Sequence, residues 1–232
     1  MIKTFPTNLL DIEQLPYEDG LALMRGLVDV RHLNGGPEVL ILLEHEPVFT
    51  MGRQSQTTDI LVSSDDLEKK GIAVHRVERG GLITYHGPGQ LVAYPIFHLR
   101  QMGLGVADMV HQLEEVILQT LSRFGITGWR KEGYRGVWVE TDKIASIGIA
   151  VRRGITFHGL ALNYDTDLAH FDLINPCGLS GVRMTSMAKI LGSAIDPVKL
   201  RQAMSEYFKK LFFLDYSEWS LAEAREFIAT GS

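Results

Sequence analysis

Apolar residues recur at three- and four-residue spacing in two parts of the chain. In residues 18–33 this spacing places Leu23, Leu27 and Val30 on one face, and the glycines of "NGG" at 34–36 end the run. The clearer run covers residues 105–124 and ends at Gly125; its apolar positions are Val106, Met109, Val110, Leu113, Val116, Ile117, Leu121 and Phe124. This period places the apolar side chains on one helix face, so both runs predict α-helices.

Shorter apolar runs predict strands. "EVLILLEH" and "LVAYPIF" are typical of buried strands, and "AVHRVER" alternates between apolar and polar residues. "RGVWVE", "KIASIGIAVR" and "ITFHGLALNY" are separated only by "TD" and "RG", which predicts an antiparallel meander. The C-terminal part is predicted to be helical, because Asp196–Pro197 and the capping box Ser220–Glu223 are helix starts. Strands in the middle, with helices at both ends and one between, indicate an α+β fold.

Composition narrows the class of protein. A chain of 232 residues with 45% hydrophobic and 22% charged residues is typical of one globular domain, here residues 1–232. A single cysteine excludes an intramolecular disulfide, and no stretch approaches the ~20 apolar residues of a membrane span. The net charge of -5 argues against nucleic acid as a partner. We therefore expect a cytoplasmic protein that does not contact a membrane.

The glycine-rich stretch "RGGLITYHGPGQ", 79–90, is the most unusual part of the sequence. It lacks the third glycine of the dinucleotide fingerprint and leads into a predicted strand, so it is interpreted as a loop with some extended character. Its glycines allow backbone to approach a ligand, and Arg79, Thr84, Tyr85, His86 and Gln90 would position that ligand. The chain has no P-loop and no pair of histidines at metal-ligand spacing, so no cofactor and no metal is expected.

Individual reactive residues leave alternatives open. Cys177 lies between Pro176 and Gly178 and is either a buried small hydrophobe or a nucleophile on a loop, which would need a histidine or lysine to form thiolate. Lys143 opens the apolar strand "KIASIGIAV" and is either an exposed edge lysine or an amine that points into a cleft. His45, His86 and His158 are similarly either structural or catalytic.

Taken together, "RGGLITYHGPGQLVAYP", "KIASIGIAV", "TFHGLALN" and "INPCGL...VRMTS" resemble the lipoyl(octanoyl) transferase family. The resemblance covers roughly residues 44–188. It implies the fold of biotin and lipoate-protein ligases, an α+β domain whose central mixed, largely antiparallel sheet is flanked by helices. It also implies that Cys177 carries the acyl group as a thioester and that Lys143 is its acid–base partner. The implied substrate-binding residues are Arg79, Gly80, Gly81, Leu82, Ile83, Thr84, Tyr85, His86, Ser146, Ile147, Gly148, Gly159, Leu160 and Ala161.

The activity that the resemblance implies is transfer of an octanoyl (or lipoyl) group from octanoyl-acyl carrier protein to a specific protein lysine, the first step of endogenous protein lipoylation. Its acceptors would be the lipoyl domains of 2-oxoacid dehydrogenase E2 subunits and the glycine cleavage H protein, and the enzyme is expected to be a monomer. The Arg152–Arg153 pair and the group Arg130, Lys131 and Arg135 are candidates for docking an acidic carrier.

Three alternatives remain at this stage. An ATP-dependent lipoate-protein ligase would share the fold without needing a nucleophilic cysteine. A thioesterase or other hydrolase could pair Cys177 with His86 or His158. A lipoyl-protein binding module would bind the acceptor without becoming acylated.

Overall fold

The computed structural model describes residues 3–175 and 182–231, in which ten strands and seven α-helices lie. The strands are β1 (Phe5–Gln14), β2 (Glu38–Glu44), β3 (Val48–Met51), β4 (Ala73–Arg76), β5 (Ile83–His86), β6 (Gln90–Ile96), β7 (Val137–Val139), β8 (Asp142–Arg152), β9 (Ile155–Asn163) and β10 (Leu214–Glu218). The helices are α1 (Tyr17–Asn34), α2 (Ser64–Lys69), α3 (Leu99–Met102), α4 (Val106–Arg123), α5 (Met187–Leu191), α6 (Pro197–Phe212) and α7 (Leu221–Thr230).

Seven strands form a main sheet in the order β10-β1-β2-β6-β9-β8-β7. The strand β1 runs parallel to both of its neighbours, and the remaining pairs from β2 to β7 are antiparallel. A smaller sheet, in the order β4-β3-β5, lies beside it. The predicted α+β fold with a mixed, largely antiparallel sheet flanked by helices is confirmed.

Helices cover both faces of the main sheet, which explains why β2 is apolar along its whole length. Its side chains alternate between faces, so Leu40 and Leu42 pack with residues of α4 and α6, whereas Ile41 and Leu43 pack with residues of α1. A third apolar cluster lies under the small sheet around Phe49. This third cluster holds the small sheet in place through residues of the chain after β9.

The predictions that rest on local pattern are confirmed. The helices over 18–33 and 105–124 correspond to α1 and α4, and the three-stranded meander is β7-β8-β9. The side chain of Asp196 accepts hydrogen bonds from the amides of Val198 and Lys199, and the capping box at Ser220 has formed. Both predicted helix starts in the C-terminal part are therefore present.

The sequence pattern does not predict four of the strands, β1, β3, β5 and β10. The strand β1 pairs with β10, with Phe5 opposite Leu214. The two strands lie about two hundred residues apart in the sequence, and such a distant pairing has no local sequence signature. The stretch 79–90, for which the sequence predicts a loop with some extended character, contains β5, which pairs with β3 in the small sheet. Among residues 3–175 and 182–231, no helix has the length and apolar character needed to cross a membrane.

Candidate active site

A cavity of about 450 Å³ lies between the glycine-rich segment, the β8-β9 hairpin, the start of α4 and the connection from α4 to β7. This volume falls within the range of small-molecule sites. The cavity wall contains Gln54, Arg79, Gly80, Gly81, Leu82, Ile83, Thr84, His86, Tyr94, Val106, Val110, Gly133, Tyr134, Arg135, Lys143, Ser146, Ile147, Gly148, Ile149, His158, Gly159, Leu160 and Ala161.

The catalytic and substrate-binding residues that the resemblance implies line this cavity, with two exceptions, and Gln90 of the glycine-rich stretch is not in its wall. The first is Tyr85, whose ring packs against Phe49 and Phe171 and stacks on His170 instead of lining the cavity. The second is Cys177, which lies outside the described residues. Residues distant in sequence, such as Gly81, Lys143 and Gly159, therefore share one surface, although their roles in catalysis remain predictions.

Lys143 lies in the cavity wall with only 8% of its surface exposed. Its ammonium nitrogen is 5.1 Å from the centroid of the Trp138 ring, an arrangement in which the ring face attracts the cation. Room for the lysine stem is provided by Gly136, since a Cβ there would lie 2.8 Å from Lys143 Cε and would also collide with the carbonyl oxygen of Ala145. The edge-lysine interpretation is thereby excluded, because the side chain is buried in a cleft.

The backbone of Lys143 holds the chain that follows the cysteine stretch. Its amide donates to the carbonyl oxygen of Arg183 at 2.9 Å, and its carbonyl oxygen accepts from the amide of Thr185 at 2.9 Å. Cys177 precedes Arg183 by six residues in the sequence. The described residues that follow the cysteine in the chain are therefore hydrogen-bonded to the backbone of Lys143.

A buried chain of hydrogen bonds connects the glycine-rich stretch to the same point. His86 Nδ1 donates to Gln90 Oε1 at 2.6 Å, and Gln90 Nε2 donates to Asn163 Oδ1 at 2.8 Å. Asn163 Nδ2 then donates to the carbonyl oxygen of Thr185 at 3.1 Å, and Thr185 is bonded to Lys143. Sequence reasoning missed Asn163, which ends the quoted stretch "TFHGLALN", because a buried amide at a strand end has no local signal.

Arg79 supports the glycine-rich segment. Its guanidinium donates to the carbonyl oxygens of Gly80 and Leu82 at 3.1 and 2.7 Å and to the hydroxyl of Thr50 at 2.8 Å. Burial lowers the pKa of Arg79 to about 10, so the group remains a cation at neutral pH. The amide of Gly80 donates to the carbonyl oxygen of Ile149 at 3.0 Å. These bonds fix the segment against β3 on one side and β8 on the other.

Two glycines permit the strands of the cavity wall to pack closely. A Cβ at Gly148 would lie 3.0 Å from the carbonyl oxygen of Gly80, and one at Gly159 would collide with the carbonyl oxygen of Ala93. The two glycines face each other in the β8-β9 ladder. Larger side chains here would push the glycine-rich segment and β6 away from the hairpin and change the shape of the cavity.

The three histidines singled out in the sequence are buried beside the cavity. Burial lowers the pKa of His45 to about 4 and that of His158 to about 3, and it lowers the pKa of His86 well below its usual value. His158 also adopts a left-handed backbone with φ of 56° inside β9, and its Nε2 lies 3.9 Å from a carboxylate oxygen of Glu78. At neutral pH all three rings are uncharged and are poor acceptors of a proton.

The catalytic-domain model "Lipoyl protein ligase A/B catalytic domain" matches residues 16–209. The chain belongs to this family. It is 44% identical over 215 residues to an octanoyltransferase of Syntrophobacter fumaroxidans, a match that covers 93% of this chain and 94% of the relative. It is also 46% identical over 193 residues to an octanoyltransferase of Acidobacterium capsulatum, covering 78% of each chain. The family resemblance inferred from the quoted motifs is confirmed.

A solved structure of a lipoate-protein ligase shares the fold of this chain. The crystal structure of lipoate-protein ligase A bound with ATP superposes with a TM-score of 0.75 at 18% identity and covers 97% of this chain and 95% of that one. The ligase-like fold expected from the resemblance is therefore confirmed. Among residues 3–175 and 182–231, no group of three or more His, Asp or Glu side chains is arranged to hold a metal ion.

Proposed function

We propose that this protein is an octanoyltransferase that moves the octanoyl group of octanoyl-acyl carrier protein to a lysine of a lipoyl domain. The acyl group is carried as a thioester on Cys177, and Lys143 is the acid–base partner. The relatives that match nearly the full chain are octanoyltransferases, which supports the reaction class. The lipoyl domains of 2-oxoacid dehydrogenase E2 subunits and the glycine cleavage H protein are the proposed acceptors.

One observation of the structure carries the proposal for the two catalytic residues. A lysine buried in the wall of a cavity suited to a small molecule is hydrogen-bonded, through its own backbone, to the chain that follows Cys177. Arg183 and Thr185 continue that chain directly beside Lys143. This connection supports a pairing of Cys177 with Lys143 over a pairing with a histidine.

The proposed chemistry balances without a further reactant. In its neutral form the Lys143 amine takes the proton of the Cys177 thiol, the sulfur attacks the carbonyl carbon of the donor thioester, and the donor thiol leaves with that proton. The amine of the acceptor lysine then attacks the new thioester, an amide forms, and the thiol of Cys177 is restored. A thioester is already activated, so the second step needs no ATP.

The cavity walls support a linear acyl substrate. Leu82, Ile83, Val110, Ile147 and Leu160 contribute apolar surface around the glycines. Such a lining favours an aliphatic chain, since burial of each methylene is worth about 0.8 kcal/mol.

The histidines beside the cavity do not favour the alternative of a hydrolase that pairs Cys177 with a histidine. Burial lowers the pKa of His158 to about 3 and that of His86 well below its ordinary value, so both rings are weak bases at neutral pH. The Nδ1 of His86 is also committed to Gln90. Neither ring therefore suits the generation of a thiolate.

Intact mass after incubation with octanoyl-acyl carrier protein tests the proposal. We expect one octanoyl adduct that hydroxylamine removes, absent from Cys177→Ala, and transferred to an apo-lipoyl domain on mixing. The Lys143→Met variant should form the adduct more slowly than the wild type, because its thioether occupies the stem's space without a basic amine.

The controls separate the rival activities. An adduct that persists in Cys177→Ala would contradict the thioester proposal. Modification of the lipoyl domain by Cys177→Ala with lipoate and ATP would favour a ligase, and release of free octanoate without an acceptor would favour a hydrolase.

A further inference from the structure

Residues 129–136, with the sequence "WRKEGYRG", are the last part of the connection from α4 to β7 and form one rim of the cavity. Arg130 anchors it by ion pairs to Glu114 and Glu115 on α4, at 3.2 and 2.7 Å. The backbones of Trp129 and Trp138 exchange two hydrogen bonds at 2.8 and 3.0 Å. Residues 129–136, called the rim loop below, are therefore held at both ends, while Gly133–Arg135 in the middle line the cavity.

The exposed residues of the rim loop combine aromatic rings with positive charge. Trp129 and Tyr134 are 43% and 38% exposed, and the ammonium of Lys131 lies 4.9 Å above the ring of Tyr134. The side chain of Arg135 is also exposed. Exposed aromatic residues beside arginine are typical of the residues that dominate binding energy at protein interfaces.

The two basic groups singled out in the sequence differ in their ion pairs. Arg152 and Arg153 both lie near Asp29, at 2.9 and 3.7 Å, so that carboxylate offsets part of their charge. In contrast, within residues 3–175 and 182–231 no carboxylate lies within 4.0 Å of the cationic groups of Lys131 or Arg135. The rim loop thus presents positive charge that is available to a carboxylate of another molecule, although its own Glu132 offsets part of the net charge.

The position of the rim loop distinguishes between the two protein substrates of the proposed reaction. Arg135 is followed directly by Gly136, which packs against the side chain of Lys143. An acceptor lysine carries its amine on a four-carbon stem. Its protein must therefore approach the rim next to Lys143, whereas a donor that presents its acyl group on a long prosthetic arm can dock farther away.

We propose that the rim loop is the docking surface for the acceptor protein, with Arg135 and Lys131 binding carboxylates that flank the acceptor lysine. Trp129 and Tyr134 contribute the apolar contact area of the same surface. The inference rests on the proposed function, because that function supplies a protein acceptor. It adds a recognition site for an acidic protein segment beside the transferred group.

The two half-reactions allow the acceptor surface to be tested separately from the donor surface. The double variant Lys131→Gln/Arg135→Gln is compared with the control Arg152→Gln/Arg153→Gln. The control also removes two positive charges, but from the pair of arginines beside Asp29. Acylation by octanoyl-acyl carrier protein and transfer from the preformed acyl-enzyme to an apo-lipoyl domain are then measured separately. Binding of the apo-lipoyl domain to each variant, in the Cys177→Ala background, is measured by calorimetric titration.

Arg135 lines the cavity, whereas Lys131 does not, so the single variant Lys131→Gln should form acyl-enzyme within twofold of the wild-type rate. The double variant Lys131→Gln/Arg135→Gln should lose more in the acceptor step than in acylation. The KM and Kd of the double variant for the apo-lipoyl domain should each rise about fivefold, the combined effect of losing two exposed ion pairs of about 0.5 kcal/mol each. The salt dependence of transfer should become shallower, and transfer to the small acceptor Nα-acetyl-lysine methylamide should be unchanged. The Arg152/Arg153 variant should match the wild type in each measurement.

Unchanged KM and Kd for the apo-lipoyl domain in the double variant Lys131→Gln/Arg135→Gln would overturn the inference. Slower acylation by the carrier protein with a normal acceptor step would also overturn it, because the loop would then dock the donor. If the wild type forms no octanoyl adduct, the proposed function fails, and the titration still decides whether the rim loop binds the acceptor.

Discussion

His45 should make the stability of this protein sensitive to mild acid. The ring is fully buried; its Nδ1 donates to the carbonyl oxygen of Leu15 at 2.8 Å, and its Nε2 accepts from the hydroxyl of Tyr94 at 2.8 Å. A neutral imidazole satisfies both contacts, with one nitrogen as donor and the other as acceptor. Burial lowers the pKa from 6.5 to about 4, since no bulk water stabilises the protonated ring.

The sign and size of the effect follow from proton linkage. The unfolded chain protonates His45 below pH 6.5, whereas the native state protonates it only below about pH 4, so the unfolded state binds more protons between these values. The free energy of unfolding is therefore fully maintained above pH 6.5 and falls as the pH is lowered. The loss is about 1.4 kcal/mol per pH unit and about 3 kcal/mol in total, a large part of the 5–15 kcal/mol of a typical domain.

Urea unfolding at pH 7.5, 6.0, 5.5 and 5.0 measures this dependence. In His45→Gln the amide can still bond Leu15 and Tyr94 but does not titrate, so between pH 6 and 5 its slope should be shallower than the wild-type slope by about 1.4 kcal/mol per unit. Tyr94→Phe is the matched control, because it removes the hydroxyl partner and leaves the titrating ring. It should lower stability at pH 7.5 by about 1–3 kcal/mol, through loss of the partner. Parallel pH profiles for the wild type and His45→Gln would refute the reasoning.

Two further changes test the surroundings of Lys143. Gly136→Ala should lower both the free energy of unfolding and the rate of acyl-enzyme formation, because its Cβ would displace Lys143. Gly125→Ala is the control, since Gly125 also has positive φ but has open space around it and lies outside the cavity. It should lose only about 1 kcal/mol by urea unfolding and keep the wild-type rate. Asn163→Ala should lower the free energy of unfolding in urea by at least about 2 kcal/mol, because Gln90 and Thr185 lose their buried hydrogen-bond partner. An unchanged midpoint of the urea transition would contradict this expectation and would show that water replaces the amide.

Much of the fold could be predicted because several elements have a strong local pattern. The period of α4 and the closely spaced strands β7 to β9 depend on residues near one another in the chain. The strand β1 could not be predicted in this way, because neither of its partners is its direct neighbour in the sequence. Its partner β2 follows only after α1, and its partner β10 lies near the other end of the chain. The strand β5 also needs a distant partner, β3, to become a strand rather than a glycine-rich loop.

The amino-acid sequence by itself determined the apolar faces, the helix caps and the reactive residue types, and through its motifs it identified the family and the residues around the cavity. Only the tertiary structure decided that Lys143 is buried beside Gly136 and that Arg79 supports the glycine-rich segment. It also decided that Arg135 is exposed at the rim of the cavity while Arg152 is paired with Asp29. These distinctions depend on which side chains meet across the fold, because burial and charge neutralisation are set by neighbours in space and not by neighbours in sequence.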